Sequence, residues 1–224
     1  MNLDIDRARI FAEHAHHNQK YGDCPYYEHL RHTFRVLLRF DIKLEPVLIA
    51  AWLHDVIEDC GITKQEIDAE FGAEVARIVD AVSDGPGANR KARQAVTYPK
   101  IREAGTPAIV LKLADRIANT EHSISNRSPQ LEMYRREFPR FFEALYRPNE
   151  CDLMWDHLRK ITRGNSMKIV QAQHATRRKP IRFGVKRYQK VCRSCGTNFT
   201  AKQANRKMCD ACSPSVQYRG KGPA

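Results

Sequence analysis

With 224 residues, 42% of them hydrophobic, the chain is long enough for one helical domain and a small appendage. No run of about 18 consecutive apolar residues occurs, which excludes a membrane-spanning helix, and Met1-Asn2-Leu3-Asp4-Ile5-Asp6-Arg7 lacks the basic-then-apolar pattern of a signal peptide. The net charge of +12 is concentrated at one end: residues 1–175 balance 25 Lys/Arg with 25 acids, whereas residues 176–224 carry 13 Lys/Arg and a single acid, Asp210.

Along the chain, helix follows helix. His14, His16 and His17 are read as a solvated helix end. Leu44 to Cys60 reads as one helix, with Pro46 in its first turn and Gly61 just past its end. Thr63-Lys64-Gln65-Glu66 is a capping box that opens the next helix, which stops near Phe71-Gly72. Ala73 to Val82 is apolar on one face, and Asp84 to Asn89 is a loop with turn chemistry. Thr106-Pro107 starts a helix through Asn119, and Ser128-Pro129 starts another to about Tyr146. Pro148-Asn149 precedes a last helix with Trp155 and Leu158 on its inner face. No strand is expected before residue 180, so the fold class is all-α, with a helical body over 1–172, a basic linker over 173–190 and a small module over 191–224.

Two strings stand out in the body: His54-Asp55-Val56-Ile57-Glu58-Asp59 and Lys112-Leu113-Ala114-Asp115-Arg116-Ile117-Ala118-Asn119. Both lie in apolar runs, where imidazole and carboxylate groups are costly to bury without a compensating cation. A divalent metal supplies that charge. His54/Glu58, Asp55/Asp59 and Asp115/Asn119 each have the i, i+4 spacing that aligns side chains on one helix face. His29 and His32 are further imidazole candidates on another helix. Such a mixed N/O set suits Mn²⁺, Fe²⁺, Zn²⁺ or another first-row ion, and a metal held this way is equipped for phosphohydrolysis.

With Pro25-Tyr26-Tyr27-Glu28-His29, Phe71-Gly72-Ala73-Glu74-Val75-Ala76 and Asn89-Arg90-Lys91, these strings resemble the alarmone-hydrolase branch of the HD-domain phosphohydrolases, the hydrolase half of the RelA/SpoT enzymes, over roughly residues 8–145. The resemblance implies an HD-domain helical bundle over 1–172 and a metal set of His29, His54, Asp55 and Asp115, with Mn²⁺ or a similar ion as cofactor. It makes Glu58 and Asp59 the catalytic acids beside the metal, and Lys20, Tyr21, Arg90, Lys91 and Asn119 the residues that meet a nucleotide substrate. His29 is preferred to His32 because it alone follows the PYxxH pattern, and Arg116 is expected to point away from the pocket. The implied reaction removes the 3′-pyrophosphate of (p)ppGpp, giving GDP or GTP. Adenine alarmones, NADPH and pyrophosphorylated tRNA 3′ ends are alternative substrates, and a nucleic-acid- or ribosome-binding protein with an HD scaffold is the alternative of another class. The chain departs from the family pattern at Leu30, where proline is usual, at Cys60, where threonine is usual, and in a basic segment before Pro25 that is one residue shorter.

Cys192/Cys195 and Cys209/Cys212 form two CxxC pairs with the spacing of a structural zinc ribbon. Four thiolates close the coordination sphere, and so small a module has too little core to fold without its ion. Cys24, Cys60 and Cys151 are scattered, so the seven cysteines suggest a reducing cytoplasm rather than a disulfide framework. The basic tail around the ribbon is suited to RNA or ribosome contact.

Overall fold

The computed structural model describes residues 3–163, 188–191 and 197–201. Ten helices are found among them: α1 (Leu3–Ala15), α2 (Tyr27–Arg39), α3 (Glu45–Leu53), α4 (Val56–Cys60), α5 (Lys64–Phe71), α6 (Ala73–Val82), α7 (Arg90–Ala104), α8 (Thr106–Ser125), α9 (Gln130–Leu145) and α10 (Asp152–Arg163). α8 is the axis of the body and packs against α2, α3, α6, α7, α9 and α10. Its sequence accounts for that position, because Ile109, Val110, Leu111, Leu113, Ala114, Ile117 and Ala118 are buried around most of its circumference. A helix apolar on most sides is stable only inside a bundle. α2 buries a single stripe, His29, Leu30, Thr33, Val36 and Leu37, against α8 and α3.

The helix starts follow local chemistry. Thr63 and Glu66 form the reciprocal capping box of α5, Asn89 accepts the Ala92 amide at the head of α7, and Pro107 occupies the first turn of α8. α6 has the bounds read from the sequence, and Trp155 and Leu158 of α10 are buried as expected.

Four expectations are corrected. The helix drawn from Leu44 to Cys60 is broken between α3 and α4: His54 Nδ1 donates to the Ala51 carbonyl at 3.0 Å, the acceptor that a continuous helix offers to the Asp55 amide. α4 then ends at Gly61, whose φ of 69° favours glycine. α8 continues beyond Asn119 to Ser125, because Thr120 and Ser123 are also buried and their hydroxyls bond back to carbonyls four residues earlier. Lys20–Tyr21 (β1) and Cys24–Pro25 (β2) form a short antiparallel hairpin where no strand was expected. Finally, His16 is buried: its ring stacks on Tyr26 at 4.5 Å and its Nδ1 lies 2.7 Å from Gln19 Oε1, while His14 and His17 are exposed as anticipated.

Tyr188–Val191 (β3) and Asn198–Ala201 (β4) pair antiparallel, with Tyr188 opposite Ala201. β3 begins inside the stretch read as linker, and the two strands bracket the first CxxC pair in sequence. Cys192, Cys195, Cys209 and Cys212, and with them the expected zinc site, lie outside the described residues. No described helix is long and apolar enough to cross a membrane.

Candidate active site

The break between α3 and α4 turns His54 inward at a helix end, opposite His29 of α2. Both imidazoles are buried, at 1% and 2% exposure, and their Nε2 atoms face each other at 3.2 Å. Because His54 Nδ1 donates to Ala51, the neutral ring keeps its lone pair on Nε2, which points inward. Asp55 Oδ2 lies 3.0 Å from His54 Nε2 and 3.4 Å from His29 Nε2. Asp115 Oδ1, from α8, lies 3.4 Å from His29 Nε2 and 3.8 Å from His54 Nε2. Each carboxylate thus lies within 3.8 Å of both ring nitrogens. His29, His54 and Asp55 bring one ligand atom each within 4.8 Å of one another, a geometry that can hold a metal ion. His32, one turn further along α2, faces away and bonds Glu121 Oε2 at 2.9 Å.

The electrostatics agree with a cation-seeking centre. Burial works against the Asp55 and Asp115 carboxylates, yet His54 and His29 hold Asp55 well below the usual carboxylate range, and Lys112 with the two histidines does the same for Asp115. Burial lowers the imidazoles in turn, and the two carboxylates outweigh it and raise both.

Neighbouring side chains orient the two carboxylates. Tyr26 donates its hydroxyl to Asp55 Oδ2 at 2.7 Å. Tyr21, on the β1–β2 hairpin, donates to Asn119 Oδ1 at 2.7 Å, and Asn119 Nδ2 donates to Asp115 Oδ1 at 2.5 Å. The hairpin is therefore tied to the α8 carboxylate through Asn119, one turn after Asp115.

The cluster opens into a cleft of ≈160 Å³. Glu58 lines it, and its Oε1 accepts the Asp84 amide at 2.6 Å. Glu58 is exposed, yet desolvation by the surrounding cleft wall raises its carboxyl, with Lys112 and that amide pulling the other way. Asp59 is exposed and accepts from Gln19 Nε2 at 2.8 Å. Tyr21, Arg90 and Asn119 line the cleft, whereas Lys20 and Lys91 are exposed and do not.

Several cleft residues escaped the sequence reading. Lys112, one turn before Asp115, sits with Nζ 3.4 Å from Asp115 Oδ2, and the surrounding acids keep it cationic against burial. Its i, i+3 spacing from Asp115 was the available signal. Arg116 corrects an expectation: it lines the cleft at 5% exposure. Its Nη1 donates to Glu137 Oε2 at 2.7 Å, and its guanidinium lies over the Tyr134 and Phe141 rings at 5.0 and 4.8 Å. The same Glu137 accepts from Arg90 Nε at 2.7 Å. α9 therefore holds two arginines at the cleft wall, which nothing local in the sequence announces. Tyr98 also lines the cleft, and its buried hydroxyl has no hydrogen-bond partner among the described residues.

Residues 8–148 match the family model described as HD domain. The chain is 34% identical over 199 residues to a guanosine-3′,5′-bis(diphosphate) 3′-pyrophosphohydrolase of Vibrio cholerae, covering 76% of this chain and 28% of that protein. It is 37% identical over 116 residues to the Danio rerio guanosine-3′,5′-bis(diphosphate) 3′-pyrophosphohydrolase MESH1, covering 49% of this chain and 63% of that one. The chain thus spans less than two thirds of either relative. Among solved structures, one titled as a metazoan ortholog of SpoT that hydrolyzes ppGpp superposes with a TM-score of 0.61 at 22% identity, covering 73% of this chain and 96% of that one. A Listeria monocytogenes protein superposes with a TM-score of 0.51 at 23% identity, covering 60% of this chain and 96% of its own. At these identities the two structures show a shared fold.

Proposed function

Because the chain belongs to the HD-domain family, we propose that it is a metal-dependent phosphohydrolase that removes the 3′-pyrophosphate of guanosine alarmones such as (p)ppGpp, giving GDP or GTP and pyrophosphate. The observation that carries this reading is the convergence of His29, His54, Asp55 and Asp115 at the floor of a cleft that also holds Lys112, Arg90 and Arg116. The curated relatives named for this activity support it.

The donor set fits a divalent first-row ion, Mn²⁺ among them: two buried imidazoles, one with its tautomer set by a backbone carbonyl, and two carboxylates within 3.8 Å of both ring nitrogens. Such an ion supplies Lewis-acid polarisation of the phosphoryl group and activation of water. The rest falls to the chain. Tyr26 and Asn119 hold the carboxylates in place. Glu58, which lines the cleft and remains open to solvent, takes a proton from the attacking water. Asp59 is assigned to the same acid–base work beside it. Lys112, Arg90 and Arg116 offset the charge that develops on phosphate oxygens, the principal demand of phosphoryl transfer. Tyr21 and Asn119 flank the nucleoside, while the exposed Lys20 and Lys91 act from the rim.

The test is release of pyrophosphate from guanosine 3′,5′-bis(diphosphate) by the Mn²⁺-loaded protein. Hydrolysis is expected, and Asp55→Ala is expected to abolish it. Full activity of a manganese-free Asp55→Ala protein overturns the reading.

The charge asymmetry supports a second role at the other end of the chain. Thirteen Lys/Arg against one acid in residues 176–224, around two CxxC pairs, fit a zinc-stabilised module that contacts RNA or the ribosome.

A further inference from the structure

A second cavity, of ≈340 Å³, adjoins the cleft on the far side of Tyr21, which lines both. Tyr21 is a fixed wall between them: its hydroxyl is bonded to Asn119, and its ring lies 4.9 Å from that of His29 on one side and 4.2 Å from that of His122 on the other. Beyond it, Cys24, Arg31, Arg35, His32 and His122 line the second cavity together with a single carboxylate, Glu28. Glu28 is engaged by Arg31, and His32 by Glu121. Arg35, one turn beyond Arg31 on the same face of α2, has neither an ion pair nor a hydrogen bond from its guanidinium among the described residues.

We propose that this cavity is a second anion subsite, in which Arg35, with Arg31 beside it, receives the 5′-phosphates of the nucleotide whose 3′-end reaches the His29/His54 cluster. The inference rests on the alarmone-hydrolase reading and deepens it. A ligand that joins the two cavities needs an anionic group at each end and a planar middle. The touching rings of Tyr21 and His122 form one aromatic surface between the two cavities, over which a nucleoside body can lie. The guanidinium fork matches phosphate oxygens bidentately, which a lysine does less well. An unpartnered guanidinium beside a phosphate-handling cleft also has its full donor set to offer. The subsite selects nucleotides phosphorylated at both ends over those carrying only the 3′-group.

Two measurements on the full-length protein decide the matter. The first titrates GDP and guanosine, without turnover, against the wild type, Arg35→Ala and Arg35→Lys. Arg35→Ala is expected to weaken GDP binding about tenfold, the value of one charge-assisted contact, to leave guanosine within about twofold, and to be partly rescued by Arg35→Lys. The second compares kcat/KM for guanosine 3′,5′-bis(diphosphate) with that for guanosine 3′-diphosphate, where Arg35→Ala is expected to lower the ratio by a similar factor. Equal loss for GDP and guanosine, no loss for either, or a wild type that does not prefer GDP overturns the subsite. If no 3′-pyrophosphate is released from either substrate, the catalytic reading falls, and the GDP titration still decides the subsite by itself.

Discussion

His29 and His32 are one helical turn apart on α2 and meet different elements. His29 meets His54 at 3.2 Å, while His32 meets Glu121 at 2.9 Å. His29→Ala is expected to lose both manganese and hydrolysis, and His32→Ala to keep substantial activity. The reverse pattern in a pyrophosphate-release assay would return the ligand role to His32. Glu58 offers a second contrast. It lines the cleft, and its Oε1 accepts the Asp84 amide at 2.6 Å. Glu58→Gln should therefore lower kcat by about 10²–10⁴-fold, the range for losing an acid–base group, with manganese still bound. Loss of the metal in that variant would make Glu58 a ligand instead.

Packing between helices carries its own charged fastenings. Glu121 of α8 accepts from His32 and Arg39 of α2, at 2.9 and 2.6 Å, and from His157 of α10 at 2.6 Å. Despite burial, these partners hold its carboxyl far below the ordinary range. Glu121→Ala leaves two histidines and an arginine without their acceptor and should cost about 1.5–3 kcal/mol, the span for hydrogen bonds to a charged group, read as a lowered urea midpoint. Glu137 of α9 does similar work for Arg90 of α7 and Arg116 of α8. Burial raises its carboxyl, but the two guanidiniums prevail and bring it from 4.5 to about 2. A depressed acid contributes stability that is present above its unfolded pKa and lost as pH falls through the folded one. The wild type should therefore lose stability as pH drops from about 4.5 towards about 2. Glu137→Gln should show a flatter profile over that window, in urea midpoints measured at stepped pH. An unchanged slope would remove Glu137 from the account of acid sensitivity.

At the scale of the whole molecule, charge divides the chain into a neutral body and a basic end. If the CxxC pairs bind zinc, Cys192→Ser should lose one zinc per chain while alarmone hydrolysis stays close to wild type. RNA affinity of the full chain should fall steeply with added salt, since each neutralised phosphate releases counterions, and a chain ending at residue 175 should lose most of that affinity. Equal RNA binding by both chains at low salt would place the contact in the body. Loss of nucleotide hydrolysis on truncation would make residues 176–224 part of the catalytic fold.

The helical body was legible because its signals are local. A capping box, a proline in a first turn or an apolar stripe depends on residues within a few positions of each other, and α5, α6 and α10 follow them. His29, His54, Asp55 and Asp115 were also within reach, since ionisable groups inside apolar runs are conspicuous wherever the chain takes them. Tertiary structure decided what those groups face. Whether His54 continues a helix or ends one depends on the Ala51 carbonyl and on the imidazole waiting on α2. That Arg116 turns into the cleft depends on Glu137, 21 residues further on. That Tyr21 becomes a wall between two cavities depends on Asn119, 98 residues away. Such contacts are set by how helices pack around α8, and no short window of sequence contains both partners.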